Sequence, residues 1–357
     1  MSRRRETNLG GFILKLDQAG EVEWATMLYS VGSDLRVDLL SSTPTGLRVG
    51  GHANSALFER GDIQAGPVGR VVTSHFFLLE YDLGGSRTHA DGWPGIGTLR
   101  NVLDVDNQRY LLGEYEGPFN FGNGVDKPSD ASLRRMFVVQ LNDSGQATRQ
   151  RAYGFSGRTN EALRLIDAGD GLALFGYTTS TDLMTSSNFE VFPALAGSPA
   201  SAKLETQRNG GIIAKLSYDL ESLEWATRVQ TEGAVRAHSA SVHGGGFLLG
   251  YEVGTNTGAG SLPDLAIAAP AVDTAWLTVD AQGGPLGKLL FSTAGADGEP
   301  PEAIVMLERG ACGDLVFGLT VGDLAVLPDF LVQPSLNTKT AFMAYRPDQV
   351  MVPSNGW

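Results

Sequence analysis

One short pattern of apolar and polar positions recurs six times along the chain. Each copy alternates like a β-strand with one buried face, and a polar turn follows it. The copies end at positions 17, 82, 142, 217, 280 and 346, so the repeat is 60–75 residues long. The six copies are Phe12–Asp17, Phe77–Asp82, Phe137–Asn142, Ile212–Ser217, Ala275–Asp280 and Ala341–Arg346. A period of this kind predicts a repeat architecture.

A second pattern, an apolar run that closes with glycine, falls between the copies and keeps phase with them. Its glycines are Gly50, Gly113, Gly176, Gly250 and Gly318. Turns rich in Asp, Asn and Gly separate the strands and are typical of hairpins. Each repeat is therefore predicted to hold four strands. In the second repeat these are Leu99–Val105, Arg109–Glu114, Met136–Leu141 and Ala147–Tyr153.

The repeated sheets predict an all-β fold, a β-propeller of five to six four-stranded blades. A single small sheet cannot bury both of its faces, whereas a ring of sheets buries them mutually and leaves few open edges. We expect one propeller domain over residues 9–357, behind an N-terminal tail of residues 1–8. Trp24 and Trp225, in the verbatim repeat Glu-Trp-Ala-Thr, are expected to fill equivalent gaps between blades.

The predicted blade count is uneven, with six third-and-fourth strand pairs and five first-and-second pairs. Three interpretations stay open at this stage. The ring has five full blades and an accessory half, or it has six blades of which one is incomplete, or the chain is cut from a longer one.

The repeats resemble the bacterial β-propeller repeats written SBBP, and the related KLD-x-x-G-x-x-x-W surface-protein repeats. The supporting residues are Gly11–Trp24, then Phe175–Asp182 with Phe192-Pro193 and Gly210–Leu216. The resemblance covers roughly residues 9 to 350. It implies an exported or surface-anchored binding or scaffold module of a bacterium. The copies diverge, with Glu80, Gln140 and Thr278 in place of the lysine.

Composition and charge narrow the class of partner. The chain is 42% hydrophobic and 19% charged, which suffices for a packed core. Its net charge of −13 argues against nucleic-acid binding, which needs clustered Lys and Arg.

The single cysteine, Cys312, is expected in the core, and no disulfide framework is possible. With no signal peptide in the sequence, a cytoplasmic location is the alternative to the surface. We expect no membrane insertion, because charges and prolines interrupt every apolar stretch.

Long insertions are predicted between the second and third strands of each repeat. The longest carries Phe189, Val191 and Phe192, and it either forms a contact surface or covers its own blade. Loops gathered on one side of a rigid scaffold are a usual place for binding. The insertions run approximately Asn54–Ser74, Gly117–Arg135, Thr178–Gly210, Gly254–Asp273 and Gly322–Thr340.

Catalytic and metal-binding signatures are missing from the sequence. No nucleophile elbow, phosphate loop, dinucleotide fingerprint or zinc-protease motif is present. The histidines lack ligand spacing; they are His52, His75, His89, His238 and His243. The Asp pairs Asp104/Asp106 and Asp167/Asp170 could hold calcium, but hairpin turns explain them more simply. We therefore predict no catalytic residue, no cofactor and no metal.

Two functions of different class remain open. The first is a non-enzymatic binding or scaffold module whose long-loop face contacts a protein or glycan, with open edge strands that could join a larger assembly. The alternative is a glycosidase or lyase with a carboxylate pair at the mouth of the channel. Acids expected on the insertion face are Glu59, Asp62, Glu116, Asp126, Asp182, Glu190 and Asp264.

Overall fold

The computed structural model describes twenty segments of the chain. These are residues 10–30, 35–54, 57–60, 66–67, 75–117, 121, 134–155, 159–179, 189–192, 210–230, 235–243, 246–253, 260–262, 265–267, 274–293, 304–309, 315–320, 325–327, 330–332 and 340–345. Their regular structure is β-strand throughout, as the alternating sequence pattern predicts. No helix in these segments is long and apolar enough to cross a membrane. The fold class all-β is therefore confirmed.

The chain divides into two compact units, Met1–Tyr153 and Gly154–Trp357. The strands that begin in unit 1 are β1 (Gly10–Leu16), β2 (Val22–Ser30), β3 (Leu35–Thr43), β4 (Gly46–Ala53), β5 (Leu57–Arg60), β6 (Gly66–Pro67), β7 (His75–Asp82), β8 (Arg87–Pro94), β9 (Ile96–Val105), β10 (Gln108–Glu116), β11 (Arg135–Leu141) and β12 (Ala147–Phe155). Strands β9–β12 contain the four strands predicted for the second repeat. The single domain over 9–357 stays a prediction.

Unit 2 continues the same strand sequence. Its strands are β13 (Thr159–Asp167), β14 (Leu172–Thr179), β15 (Phe189–Phe192), β16 (Gly210–Leu216), β17 (Leu223–Gln230), β18 (Val235–His243), β19 (Gly246–Val253), β20 (Gly260–Leu262), β21 (Leu265–Ile267), β22 (Thr274–Val279), β23 (Pro285–Thr293), β24 (Ile304–Arg309), β25 (Leu315–Thr320), β26 (Ala325–Leu327), β27 (Phe330–Val332) and β28 (Thr340–Tyr345).

Four sets of four strands pair in the antiparallel order that the repeat predicts. They are β3-β4-β7-β8 and β9-β10-β11-β12, then β13-β14-β16-β17 and β18-β19-β22-β23. We number the members of each set first to fourth. Two shorter sets complete the series, because β1 and β2 match the third and fourth strands, and β24-β25-β28 match the first three. The described residues hold five first-and-second pairs, five third-and-fourth pairs and β28 as the third strand of a sixth; the residues predicted to form its fourth strand lie outside the described segments.

The turn between the third and fourth strands is built by the polar residue that ends the third strand. The Oδ1 atom of Asp17 accepts hydrogen bonds from the backbone N–H groups two and four residues later, each at 2.8 Å. Asn142 and Asp280 make the same two bonds in their own turns. Gly20, at the third turn position, has a φ of 84°, which only glycine adopts without strain. The lysine-leucine-aspartate pattern therefore encodes a hairpin.

Tryptophans on fourth strands fasten consecutive sheets together within each unit. In every case the indole N–H donates to a backbone carbonyl in the third-to-fourth turn of the next sheet. The bonds are Trp24 to Leu83 at 3.2 Å, Trp93 to Gly145 at 3.3 Å, and Trp225 to Ala281 at 2.9 Å. Trp24 and Trp225 thus make equivalent bonds to the next sheet, and that they fill gaps between propeller blades stays a prediction.

The described insertion strands do arise between second and third strands; β20 and β21 form a separate two-stranded sheet, whereas β5 and β26 extend the preceding sheet. In unit 1, β5 pairs with the outer strand β2, from Met27 opposite Arg60 to Ser30 opposite Leu57. In unit 2, β26 pairs with β23. An outer edge strand exposes unpaired N–H and C=O groups, which the added strand satisfies.

The core of unit 1 lies between its sheets. Phe77, Leu79 and Tyr81 of β7 pack with Ile13 and Leu28 of the β1–β2 hairpin. The other face of β7 packs with residues of β9–β12 through Phe76 and Leu78. The sheet that contains β7 thus buries both of its faces between two neighbours, which no isolated four-stranded sheet achieves.

Candidate functional site at the insertion end of unit 1

A β-bulge interrupts the first strand of every set at the same place. One extra residue on the first strand falls opposite the glycine of the second sequence pattern. The extra residues are Asp38, Arg100, Leu163, His238 and Val305, and the glycines are Gly50, Gly113, Gly176, Gly250 and Gly318. Bulges redirect side chains and often lie near functional sites.

At two of these glycines, Gly50 and Gly113, a Cβ atom beside the bulge would lie too close to its neighbours. A Cβ on Gly113 would lie 2.3 Å from the carbonyl oxygen of Thr98 and 2.6 Å from the ring of Phe137. A Cβ on Gly50 would lie 2.7 Å from Leu99 in the next sheet. Gly50 is therefore crowded by the neighbouring sheet, whereas Gly113 is crowded by its own sheet.

We call the end of a sheet where its second strand stops and the insertion begins the insertion end, and the opposite end the turn end. In unit 1, a charged cluster occupies the insertion end. Glu114 of β10 is completely buried, and its Oε1 accepts a hydrogen bond from Arg100 Nε at 2.9 Å. Arg134 lies 3.3 Å from the other oxygen of Glu114 and donates twice to Glu116, at 2.8 and 3.0 Å. Two guanidinium groups therefore compensate the buried carboxylate.

Asp38, the bulge residue of β3, faces this cluster. Its Oδ2 atom is buried and has no hydrogen-bond partner among the described residues. Burial raises the pKa of the Asp38 carboxyl above its usual value, although the positive charges of Arg100, Arg36 and Arg134 oppose that shift. An orphaned buried acceptor is unusual in a folded protein and marks a position with a functional explanation to seek.

The turn end of the same two sheets carries a second ion-pair network, and in this one every charge is matched. Arg48 pairs with Glu80 at 3.0 Å and with Asp104. Arg109 pairs with the same two carboxylates, at 2.8 and 3.2 Å. Because two cations share two anions across adjacent sheets, this network has a structural role. The glutamate that replaces the repeat's lysine at position 80 is thereby explained.

The aspartates considered as calcium ligands belong to turns and ion pairs. Asp106 has a φ of 49°, a backbone state that suits the tight β9–β10 hairpin, and Asp104 lies in the turn-end network. Asp167 accepts a hydrogen bond from the N–H of Gly169 at 2.8 Å, and Asp170 lies 2.7 Å from Lys215 Nζ. Among the described residues, no three His, Cys, Asp or Glu side chains gather into a metal-binding group.

Lys215 shows how unit 2 compensates a buried charge. Burial alone would lower the pKa of its ammonium group, but bonds to Asp170 and to Glu224, at 2.7 and 3.1 Å, outweigh that effect and raise it. The same contact lowers the pKa of the exposed Asp170 carboxyl, chiefly through the hydrogen bond from Lys215. The lysine of the repeat motif is therefore a structural residue here.

The histidines do not form a site in the described part of the chain. His52 and His75 are buried in unit 1, while His89 lies 2.7 Å from Asp91. His238 is the bulge residue of β18 and His243 ends that strand; the described structure covers only the backbone of both.

Of the seven acids expected on the insertion face, Glu116 is in the charged cluster. The structure describes only the backbone of Glu59 and Glu190, in β5 and β15. Phe189 and Phe192 also lie in β15, again as backbone, with Val191 half-buried between them. Outside the described residues lie Asp62, Asp126, Asp182, Asp264 and Cys312.

Sequence reasoning missed Asp38, Arg100 and Glu114, which form the heart of the cluster. A signal was available, because Asp38 and Arg100 stand 12 and 13 residues before the phased glycines Gly50 and Gly113. Two charged residues at equivalent positions of an otherwise apolar strand pattern could have been noticed. That they face the same carboxylate depends on sheet packing and is not encoded locally.

Comparisons with known proteins add no family to this geometry. No protein-family model matches the chain, and no curated protein matches it. The resemblance to bacterial surface β-propeller repeats rests on the quoted motifs alone and stays a prediction.

Proposed function

We propose that the successive four-stranded sheets are blades of a β-propeller with five to six blades. The support is their strict succession in the chain, each with the same bulge beside a phased glycine, and the same third-to-fourth turn in three of the four complete sheets. Within each unit, tryptophan bonds join one sheet to the next in the same way. When every sheet contacts the next sheet in the same way, the sheets form a regular curved array.

We propose further that the chain is a non-enzymatic binding or scaffold module whose contact face is the insertion end. One observation carries this proposal. Every insertion interrupts the chain between second and third strands, so in every sheet the variable segments leave the scaffold at the corresponding end. Rigid strands that carry long variable segments at one end are a common design for recognition surfaces. A bacterial cell surface is the location that the motif resemblance favours, with the cytoplasm as the alternative.

The contrast between the two ends of unit 1 supports this assignment. At the turn end, Arg48 and Arg109 share Glu80 and Asp104, and the turns are short. The insertion end instead leaves the buried oxygen of Asp38 without a described partner. A ligand would find little unmet hydrogen-bonding capacity at the turn end.

The test compares two variants, each of which loses one guanidinium group that is paired with carboxylates. The purified chain is applied to an oligosaccharide array and to an array of folded protein domains. The variant Arg134→Gln, at the insertion end, should weaken any binding detected, whereas Arg109→Gln at the turn end should not. Equal loss in both variants, or binding that neither variant alters, would contradict the assignment of the contact face.

A polysaccharide-acting enzyme is the second candidate, and Asp38 is the observation that favours it. General acids of glycosidases are carboxyls whose pKa burial has raised, and Asp38 combines a raised pKa with a position at the insertion end. The candidate requires turnover of a polysaccharide panel that Asp38→Asn abolishes. A wild-type chain with no turnover on the panel would remove it.

We also propose that β1 is a point of assembly. In the described segments it pairs only with β2, and its outward residues Phe12, Leu14 and Leu16 are 80%, 43% and 48% exposed. The matching residues Phe137 and Leu141 of β11 are buried. A second copy of the chain that adds a strand to β1 would pair the backbone groups of this edge, and apolar side chains of that copy could pack beside the exposed ones. Light scattering at high concentration tests the idea, since a persistent monomer contradicts it.

A further inference from the structure

We propose that Arg36, Asp38 and Arg100 at the insertion end of unit 1 form a binding site for a neutral oligosaccharide. The inference rests on the proposed binding function and gives it a ligand class. It starts from the local geometry, because Arg36 and Asp38 lie two residues apart near the start of β3, and Arg100 lies at the equivalent bulge of β9.

The site offers an acceptor on β3 and donors on β3 and β9, two strands that pack against each other. Arg36 is exposed, and Arg100 is about one-third exposed while its Nε is engaged with Glu114. Guanidinium groups can only donate hydrogen bonds, whereas the carboxylate of Asp38 accepts them. A sugar hydroxyl both donates and accepts, so adjacent hydroxyls can engage an arginine and an aspartate at once. The terminal torsion of aspartate is soft, which allows the carboxyl to turn its unpartnered oxygen outward.

Charge balance favours a neutral ligand over an anionic one. The positive groups Arg36, Arg100 and Arg134 are matched by three carboxylates, those of Asp38, Glu114 and Glu116. A cluster without net charge in a chain of net charge −13 does not attract an acidic polymer. Nor does it attract a strongly basic one, because the three guanidinium charges offset the three carboxylate charges. Recognition therefore depends on hydrogen-bond geometry.

The bulge in β3 argues against a peptide that binds by strand addition. Although β3 is the edge strand of its sheet, the extra residue Asp38 breaks the regular register at the site. Bulges are a means by which edge strands avoid pairing with other chains. Side-chain recognition of hydroxyl groups needs no regular edge, so the saccharide is the occupant that this surface favours.

Isothermal titration with neutral and with uronic-acid-containing oligosaccharides, chosen from the array, tests the inference. We expect the neutral ligands to bind, and Asp38→Ala and Arg36→Gln each to weaken them about 10- to 100-fold, as the loss of a charged hydrogen bond does. Asp104→Asn, at the turn end, is the matched control and should leave affinity unchanged. Because a neutral residue at position 38 relieves a buried charge, thermal unfolding should show that Asp38→Ala is folded.

Binding of only the acidic oligosaccharides, or unchanged affinity in Asp38→Ala, would overturn the inference. If no saccharide binds but a protein domain binds in an Arg134-dependent way, the proposed binding function stands and the inference of a saccharide ligand is rejected. If neither array gives Arg134-dependent binding, the proposed function itself fails.

Discussion

Replacing the buried carboxylate Glu114 with glutamine gives the sharpest test of the charged cluster. The side chain of Glu114 is 0% exposed, and it compensates Arg100 and Arg134, which are 34% and 29% exposed. Removing one partner of a fully buried ion pair costs about 3–5 kcal/mol. Here the two arginines can turn partly toward water, so we expect Glu114→Gln to lower the free energy of unfolding by about 2–3 kcal/mol.

Urea denaturation monitored by tryptophan fluorescence measures this loss, and Glu116→Gln is the matched control. Glu116 also binds Arg134 but is 44% exposed, so its replacement should cost under about 1 kcal/mol. An unchanged slope against urea would show that the surface exposed on unfolding is the same in both variants. Equal losses in the two variants, or a loss below about 1 kcal/mol in Glu114→Gln, would refute the view that a buried charge holds the cluster together.

Three further predictions concern stability. Trp93→Ala should lower the free energy of unfolding by about 3–5 kcal/mol, because the ring is 6% exposed. Trp93→Phe should lower it by about 1 kcal/mol, because only the indole hydrogen bond is lost. Equal losses of the two variants in urea denaturation would contradict this reasoning. Asp38→Asn should stabilise the chain at neutral pH, because a raised pKa means that stability present in acid is lost as pH rises through the folded pKa. The extra stability of Asp38→Asn should vanish below the pKa that the Asp38 carboxyl has in the unfolded chain. If thermal melts show the same extra stability at every pH, ionisation of Asp38 is not its cause. Gly113→Ala should cost about 1–3 kcal/mol or more from overpacking against Thr98 and Phe137, and a neutral result in the same melts would mean that the bulge relaxes freely.

Local patterns of the sequence predicted much of the fold, because the responsible contacts are local. Asp17 and Asn142 end their strands through hydrogen bonds to N–H groups two and four residues later. Gly20 supplies the backbone state that the turn requires. Such interactions depend only on neighbouring residues, so the repeat alone located the hairpins and the insertions between second and third strands.

Which sheet an insertion strand joins could not be predicted from such local patterns. Strand β5 follows β4 in the chain but pairs with β2, the outer strand of the preceding sheet. Its own sheet offers an alternative edge at β8, and sequence composition does not distinguish the two. The choice depends on how sheets stack, since that decides which edge lies within reach of a short connection.

The amino-acid order by itself determined the strands, their turns and the phase of the repeat, since alternation and turn chemistry act over a few residues. Only the tertiary structure decided that Asp38, Arg100 and Glu114 share one cluster, because two of them belong to one sheet and the third to its neighbour. Electrostatic interactions depend on distance in space and not on separation along the chain. The pKa of Asp38 and the contrast between the two ends of unit 1 are therefore properties of sheet packing.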